Sequence, residues 1–184
     1  MKKTIETAVG RLDRLSESVR ERFADLTVEE LNWKPGPERW SIAQTMDHLI
    51  AFNRAYAVPL GQVADGTYRP NFFARWKLGT SAVSGLLRRV SDPNNRKKVR
   101  TVDPFFPGST NFGTDIHKKF HENHRAFAQL LRSIPADAEG TVISSPANKM
   151  MTIHLKDLFE IIPDHAERHL LQMIETYELQ RQVS

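Results

Sequence analysis

The stretch SIAQTMDHLIAFNRAY, residues 41–56, contains both the start signal and the apolar stripe of an amphipathic helix. Its first four residues have the S-x-x-Q form of a capping box, in which Ser41 and Gln44 satisfy each other's backbone N–H groups at a helix start. Apolar side chains then recur at intervals of three and four residues, which places them on one side of the helix. The stripe predicted to be buried consists of Ile42, Met46, Leu49, Phe52 and Tyr56.

Three further segments have the periodicity of long amphipathic helices. They cover residues 5–26, about 114–133 and about 152–177, and Thr152 is in a position to cap the last one. A weaker helical pattern extends over residues 71–90, and the chain has little convincing strand pattern. The sequence therefore predicts an all-α four-helix bundle with an extra helical and loop insertion between its second and third helices.

Length and composition predict one folded domain over residues 1–184. The chain is 40% hydrophobic and 26% charged, which excludes a disordered or fibrous class. It has no cysteine, and this excludes a disulfide framework, a cysteine nucleophile and a thiolate metal site. Any metal ion must therefore be held by His, Asp or Glu side chains.

No segment has the features of a membrane or export signal. The basic N-terminus is not followed by an apolar run, and no run approaches the length of a membrane span. We therefore expect a cytoplasmic protein with no membrane partner.

The net charge of +4 comes from one short segment. Residues 88–100 hold six basic residues against one acid, a local charge of +5, which leaves the remainder of the chain at −1. Such a cluster can bind nucleic acid, but no aromatic residue is interleaved within it to stack on bases. A solvated loop outside the histidine-containing segments is the favoured interpretation. The basic residues are Arg88, Arg89, Arg96, Lys97, Lys98 and Arg100.

Two of the seven histidines stand out by their place on a helix. His165 and His169 are four residues apart and fall in the same sector as the apolar side chains of the last predicted helix. Two imidazoles in one apolar stripe are costly to bury without a shared partner. A metal ion would satisfy both rings, so we favour a ligand role over a structural one.

The other histidines give weaker signals. His117, His121 and His124 border the apolar face of the third predicted helix, which favours a solvated or flanking stripe over a second metal site. His154, near a helix start, is interpreted as a surface or capping residue. His48 lies at the edge of the buried stripe of the second helix, and a bundle can bring that edge against the last helix.

Two blocks of sequence resemble the DinB-like (DinB/YfiT) superfamily of small four-helix proteins. They are WSIAQTMDHL at residues 40–49 and HAERHLLQM at residues 165–173. The resemblance implies a four-helix bundle with a crossover connection, commonly a homodimer, and a divalent metal ion on His48, His165 and His169. It also implies a metal-dependent hydrolase or a transferase that uses a low-molecular-weight thiol. The metal would be Zn, Ni, Fe or Mn, since an imidazole-only site accepts each of them.

The carboxylates do not indicate a general base beside such a metal site. Asp164, Glu167 and Glu175 point away from the histidine face of the last helix, and Asp47 lies on the polar side of its own helix. This weakens a hydrolase mechanism that depends on a carboxylate, and no catalytic residue is assigned.

Two polar side chains near the predicted site have open roles. Gln172 and Asn53 could each orient a ligand or substrate, or form an internal hydrogen bond between helices. The alternative function is a non-catalytic, stress-linked bundle with structural histidines. Its basic loop would then meet an acidic partner or nucleic acid through Arg96, Lys97 and Lys98.

Overall fold

The computed structural model describes residues 1–76, 79–95, 97 and 100–183, and within them nearly all regular structure is helical. The helices are α1 (Lys2–Phe23), α2 (Val28–Asn32), α3 (Ile42–Ala64), α4 (Phe72–Trp76), α5 (Thr80–Ser91), α6 (Asp115–Ser133) and α7 (Leu155–Val183). A 3₁₀ turn (Ala136–Gly140) and two short strands, β1 (Val142–Ser144) and β2 (Thr152–His154), precede α7. This confirms the predicted all-α class.

The four long helices form a ring in which α1 and α3 are each flanked by α6 and α7. Helices α1 and α6 run antiparallel, since Asp13 pairs with Arg132 while Ser16 bonds to His121. Helices α3 and α7 also run antiparallel, because the ring of Phe52 stacks on His165 and the ring of His48 contacts His169, one turn further along α7.

Helices α1 and α7 run parallel, since Arg11 binds Asp164 and Phe23 packs on Tyr177. Neighbouring α3 and α6 must therefore also run parallel. Parallel neighbours cannot be joined by a tight turn, so the chain returns along the bundle through residues 65–114. This is the predicted crossover connection, and it contains the extra helices α4 and α5.

The core consists of the apolar stripes of the four long helices. All five residues of the stripe predicted for α3 are buried, as are the large rings of Phe23, Phe120 and Phe159. The capping box at the start of α3 is present, with Ser41 Oγ accepting from the Gln44 N–H at 3.1 Å and Gln44 Oε1 accepting from the Ser41 N–H at 3.2 Å.

The start of the last helix differs from the prediction. Thr152 does not cap a helix but lies in β2, where it pairs with Ser144, and Ile153 pairs with Ile143 in an antiparallel hairpin. Two adjacent β-branched residues, both buried, favour this extended backbone over a helix start. His154 is the half-buried last residue of this strand and directly precedes the first residue of α7.

The segment predicted as one weak helix is divided in two. Helix α4 ends at Trp76, and α5 begins after Gly79, whose φ of 69° lies in the left-handed region that glycine adopts without strain. None of the helices in the described ranges combines the length and apolar character needed to cross a membrane.

Candidate metal site

The site lies where the first turns of α3 face the middle of α7. The capping box fixes the start of α3, and His48 follows two turns later with its side chain toward α7. On α7 the i, i+4 spacing places His165 and His169 on the face that meets α3. The structure therefore brings together the three predicted ligands.

The ring nitrogens of these three residues converge. The Nε2 atom of His165 lies 3.3 Å from Nε2 of His48 and 3.2 Å from Nε2 of His169. His48 and His169 are buried, and His165 is half-buried. Among the described residues, these three form the only group of three or more His, Asp or Glu that could hold a metal ion.

Hydrogen bonds at the opposite ring nitrogens set the tautomers of two of the histidines. His48 Nδ1 lies 2.6 Å from the carbonyl oxygen of Phe105, and His169 Nδ1 lies 2.7 Å from Oε1 of Gln172. Since both oxygens can only accept, each Nδ1 carries the proton and each Nε2 presents a lone pair. This is the tautomer that binds a metal through Nε2.

Protein groups alone do not satisfy this arrangement. A proton on His165 Nε2 could serve only one of its two neighbours, and His165 Nδ1 is buried with no hydrogen-bond partner in the described part of the chain. A cation placed among the three Nε2 atoms would satisfy all of the lone pairs. Ligands about 2.0–2.1 Å from a tetrahedral zinc ion lie about 3.3–3.4 Å apart, which agrees with the two observed separations.

Burial keeps the three imidazoles in the neutral form that binds metals. It lowers the pKa of His48 to about 4, with the hydrogen bond to Phe105 acting in the opposite direction. Burial also lowers the pKa values of His165 and His169, and His48 and the cationic Arg168 lower both further, while the hydrogen bond to Gln172 acts in the opposite direction on the pKa of His169.

Aromatic rings enclose the cluster. The ring of Phe52 stacks on His165 with centroids 4.2 Å apart, and the indole of Trp40 lies 4.8 Å from the His48 ring and 6.2 Å from the His169 ring. The ring of Phe105 packs on Phe52 at 5.4 Å. The sequence placed Phe52 in the buried stripe of α3 and gave no reason to place Trp40 or Phe105 beside the histidines, so this wall was not predicted.

The nearby carboxylates are engaged away from the histidines. Asp164 and Glu167 both bind Arg11 of α1, each with an oxygen 2.6 Å from its Nη2 atom. Glu175 pairs with Arg39 at 2.9 Å.

Asp47 also faces away from the cluster, since its Oδ2 atom accepts from the Gly108 N–H at 2.6 Å. These contacts agree with the directions predicted for the four acids. The arrangement therefore supplies three neutral ligands and no carboxylate base.

Arg168 links the site to the basic segment. It lies between the two histidines of α7, is 8% exposed, and donates to the backbone carbonyls of Val90, Asn95 and Lys97. The segment lies outside both histidine-containing blocks of the sequence, as expected, and its described basic side chains are exposed, but its backbone packs against α7 at Arg168. Arg96 and Lys98, named in the nucleic-acid alternative, lie outside the described residues.

The histidines of α6 lie outside the metal cluster, and one of them contacts α1. His121 Nδ1 lies 2.8 Å from Ser16 Oγ, which agrees with a hydrogen-bonded flanking position. His124, however, is only 3% exposed, and its Nδ1–H donates to the Phe120 carbonyl at 3.2 Å. The prediction of a solvated or flanking position is wrong for His124, because its ring lies inside the bundle on the ring of Phe120, with centroids 4.0 Å apart.

The two uncertain polar residues have different roles. Asn53 Nδ2 donates to Oδ1 of Asn123 on α6 at 2.9 Å, so it joins two helices of the bundle. Gln172 instead contacts a histidine of the cluster and orients it.

Comparison with known protein families gives one match. The sequence profile described as the DinB superfamily covers residues 11–173, which include all three histidines of the cluster. No curated protein and no solved structure shows significant similarity to the chain.

Proposed function

The chain belongs to the DinB superfamily, and we propose that it is a metal-dependent enzyme in which His48, His165 and His169 hold one divalent ion through their Nε2 atoms. The observation that carries this proposal is the convergence of the three Nε2 atoms, with two of the rings held in the ligand tautomer by Phe105 and Gln172. Purely structural histidines would not need three Nε2 atoms that converge on one point, two of them held with their lone pairs toward it.

A divalent ion on three neutral ligands keeps its full charge and free coordination positions, and it supplies Lewis acidity to a bound thiol, water or carbonyl group. The residues around it exclude water on the sides of Trp40 and Phe52. Arg168 adds a positive charge beside the cluster. Its guanidinium donates to neutral backbone carbonyls, and no acidic side chain that the structure describes forms an ion pair with it. An anionic reactant is therefore favoured there over a cationic one.

We propose transfer of a low-molecular-weight thiol to a small electrophile as the reaction, in preference to hydrolysis. The thiol proton passes to solvent, the sulfur electron pair forms a bond to carbon, and the leaving group departs with its bonding pair. Hydrolysis that uses a carboxylate as general base would need an Asp or Glu side chain beside the cluster. Asp164 and Glu167 are instead held by Arg11. The homodimer and the cytoplasmic location implied by the resemblance and by the sequence stay predictions.

Metal content tests the ligand assignment directly. Protein purified without chelator should contain about one equivalent of Zn, Ni, Fe or Mn by elemental analysis. His169→Ala should lose this metal while keeping its helical circular dichroism. His154→Ala is the matched control, since that histidine lies in β2 outside the cluster. Full metal content in His169→Ala would contradict the assignment.

The reaction class needs a separate assay. The metal-loaded protein should accelerate coupling of a small thiol to a chromogenic haloarene, and His48→Ala should abolish the acceleration. Hydrolysis of a p-nitrophenyl ester, measured in parallel, should stay near the background rate. Fast ester hydrolysis without thiol coupling would favour the hydrolase instead. Protein that is purified without metal and shows neither activity after a divalent metal is added would favour the non-catalytic bundle.

A further inference from the structure

A second concave surface lies on the outer side of α3, away from the histidine cluster. It is a cleft of about 860 Å³ between α3, the segment that follows α3, the loop of residues 104–108 and the turn of the β1–β2 hairpin. This volume is in the range of small-molecule sites, about 300–1,000 Å³. None of His48, His165 and His169 lines it.

The charges on this cleft are unbalanced. Arg54, Arg69 and Lys149 line it from three different segments, against the single acid Asp47. Asp47 already accepts a hydrogen bond from the Gly108 N–H at 2.6 Å. Over residues 1–76, 79–95, 97 and 100–183 the three cations form no ion pair, so the cleft has an excess of positive charge.

The floor of the same cleft is apolar. Val58 is 65% exposed and Phe106 is 47% exposed, although both are large hydrophobic side chains. Ala55 and Pro146 extend this apolar surface. Exposed apolar area bordered by charges is typical of a binding site rather than of ordinary protein surface.

Hydrogen bonds between its walls hold the cleft open. Asn71 Nδ2 donates to the Lys149 carbonyl at 2.8 Å, which ties the hairpin turn to the segment after α3. Tyr68 Oη accepts from the Ser144 N–H at 3.3 Å. Arg69 Nη1 donates to the carbonyls of Gly66 and Tyr68, which fixes its guanidinium at the rim. The Arg69 guanidinium is therefore positioned before any ligand arrives.

We propose that this cleft binds a small organic anion with an apolar body, such as an aromatic carboxylate or sulfonate. Its anionic group pairs with Arg54 and Arg69, and its apolar body covers Val58 and Phe106. The site is separate from the histidine cluster and does not depend on metal. The two share one loop, since Pro104 and Phe106 line the cleft while the carbonyl of Phe105 accepts from His48.

Two dyes of nearly the same shape test the proposal. 8-Anilinonaphthalene-1-sulfonate has an apolar body and one negative charge, and N-phenyl-1-naphthylamine lacks the sulfonate. Fluorescence titration of metal-free and metal-loaded protein at low salt should show saturable one-to-one binding of the sulfonate. The neutral dye should bind at least tenfold more weakly.

Variants then locate the site. The double variant Arg54→Glu/Arg69→Glu should weaken sulfonate binding at least tenfold, and Ala55→Trp, which fills the floor, should do the same. Arg22→Glu, an exposed arginine of α1, is the matched control and should bind as the unaltered protein does.

Three results would overturn the proposal. They are equal binding of the two dyes, binding by the double variant within twofold of the unaltered protein, and a self-association in sedimentation that Val58→Asp abolishes. The last result would identify the cleft as an interface between copies of the chain.

Discussion

Replacing Gln172 by Ala isolates the contribution of one orienting hydrogen bond to the metal site. Gln172 Oε1 accepts from His169 Nδ1 at 2.7 Å and is three residues away on the same helix. Without it, His169 can rotate, or move its proton to Nε2 and present no lone pair to the ion. The corresponding partner of His48 is a backbone carbonyl and stays in place. The variant therefore weakens the site without dismantling it.

The expected size follows from that single contact. Partners of metal-bound histidines typically contribute 10- to 100-fold to affinity, or about 1.4–2.7 kcal/mol. Gln172→Ala should accordingly raise the Kd for Zn²⁺ by about 10- to 100-fold. Gln172→Glu keeps an acceptor and adds a negative charge, so it should bind Zn²⁺ at least as tightly as the unaltered protein.

Competition against a chromophoric chelator measures these affinities. Gln182→Ala is the control on the same helix, since that side chain is exposed near the end of α7. Thermal unfolding of the metal-free proteins checks that Gln172→Ala still folds. An unchanged Kd in a folded Gln172→Ala protein would refute the orienting role, and so would an equal loss in the control.

Two further predictions concern stability. Burial lowers the pKa of His124 from 6.5 to about 4, so between these pH values the unfolded chain binds the proton and the folded protein does not. The free energy of unfolding should therefore fall as the pH drops through this window, with His124 contributing up to about 1.4 kcal/mol per pH unit. Urea unfolding at several pH values should show that the free energy of unfolding of His124→Leu depends less steeply on pH, by that amount. An equal pH dependence of the free energy of unfolding in His124→Leu and the unaltered protein would contradict this. Arg168→Ala should speed hydrogen exchange of the backbone amides of Asn94 and Asn95 at least tenfold. Replacing the exposed Arg89 by Ala should not change these exchange rates. Equal exchange rates in the two variants would exclude Arg168 as the residue that anchors this loop.

Local spacing made the helices and part of the site predictable. The stripe from Ile42 to Tyr56 is buried as expected because side chains three and four residues apart must share a helix face. The same rule placed His165 and His169 together. His48 was joined to them by the resemblance, since spacing within one helix does not say which helices become neighbours.

The groups that orient the histidines were less accessible to sequence reasoning. The carbonyl of Phe105 acts on a residue 57 positions earlier, and every residue has such a carbonyl, so no side-chain pattern marks it. The role of Arg168 could not be predicted for the same reason, because its partners are also backbone carbonyls. The hairpin strands have three residues each, too few for an alternating pattern to be recognised.

Because the Phe105 carbonyl belongs to the crossover connection, metal affinity depends on whether that connection has packed onto the four long helices. Phe105 belongs to the returning part of the crossover, which is tied to the start of α3 by Asp47 and Gly108 and to α2 by Asn32 and Phe112. A chain whose four long helices have associated, but whose crossover is still detached, has a hydrophobic core and an unoriented His48. Tight metal binding thus requires the longest connection in the fold to be in place, and a change made only in that connection can alter metal affinity without touching a ligand.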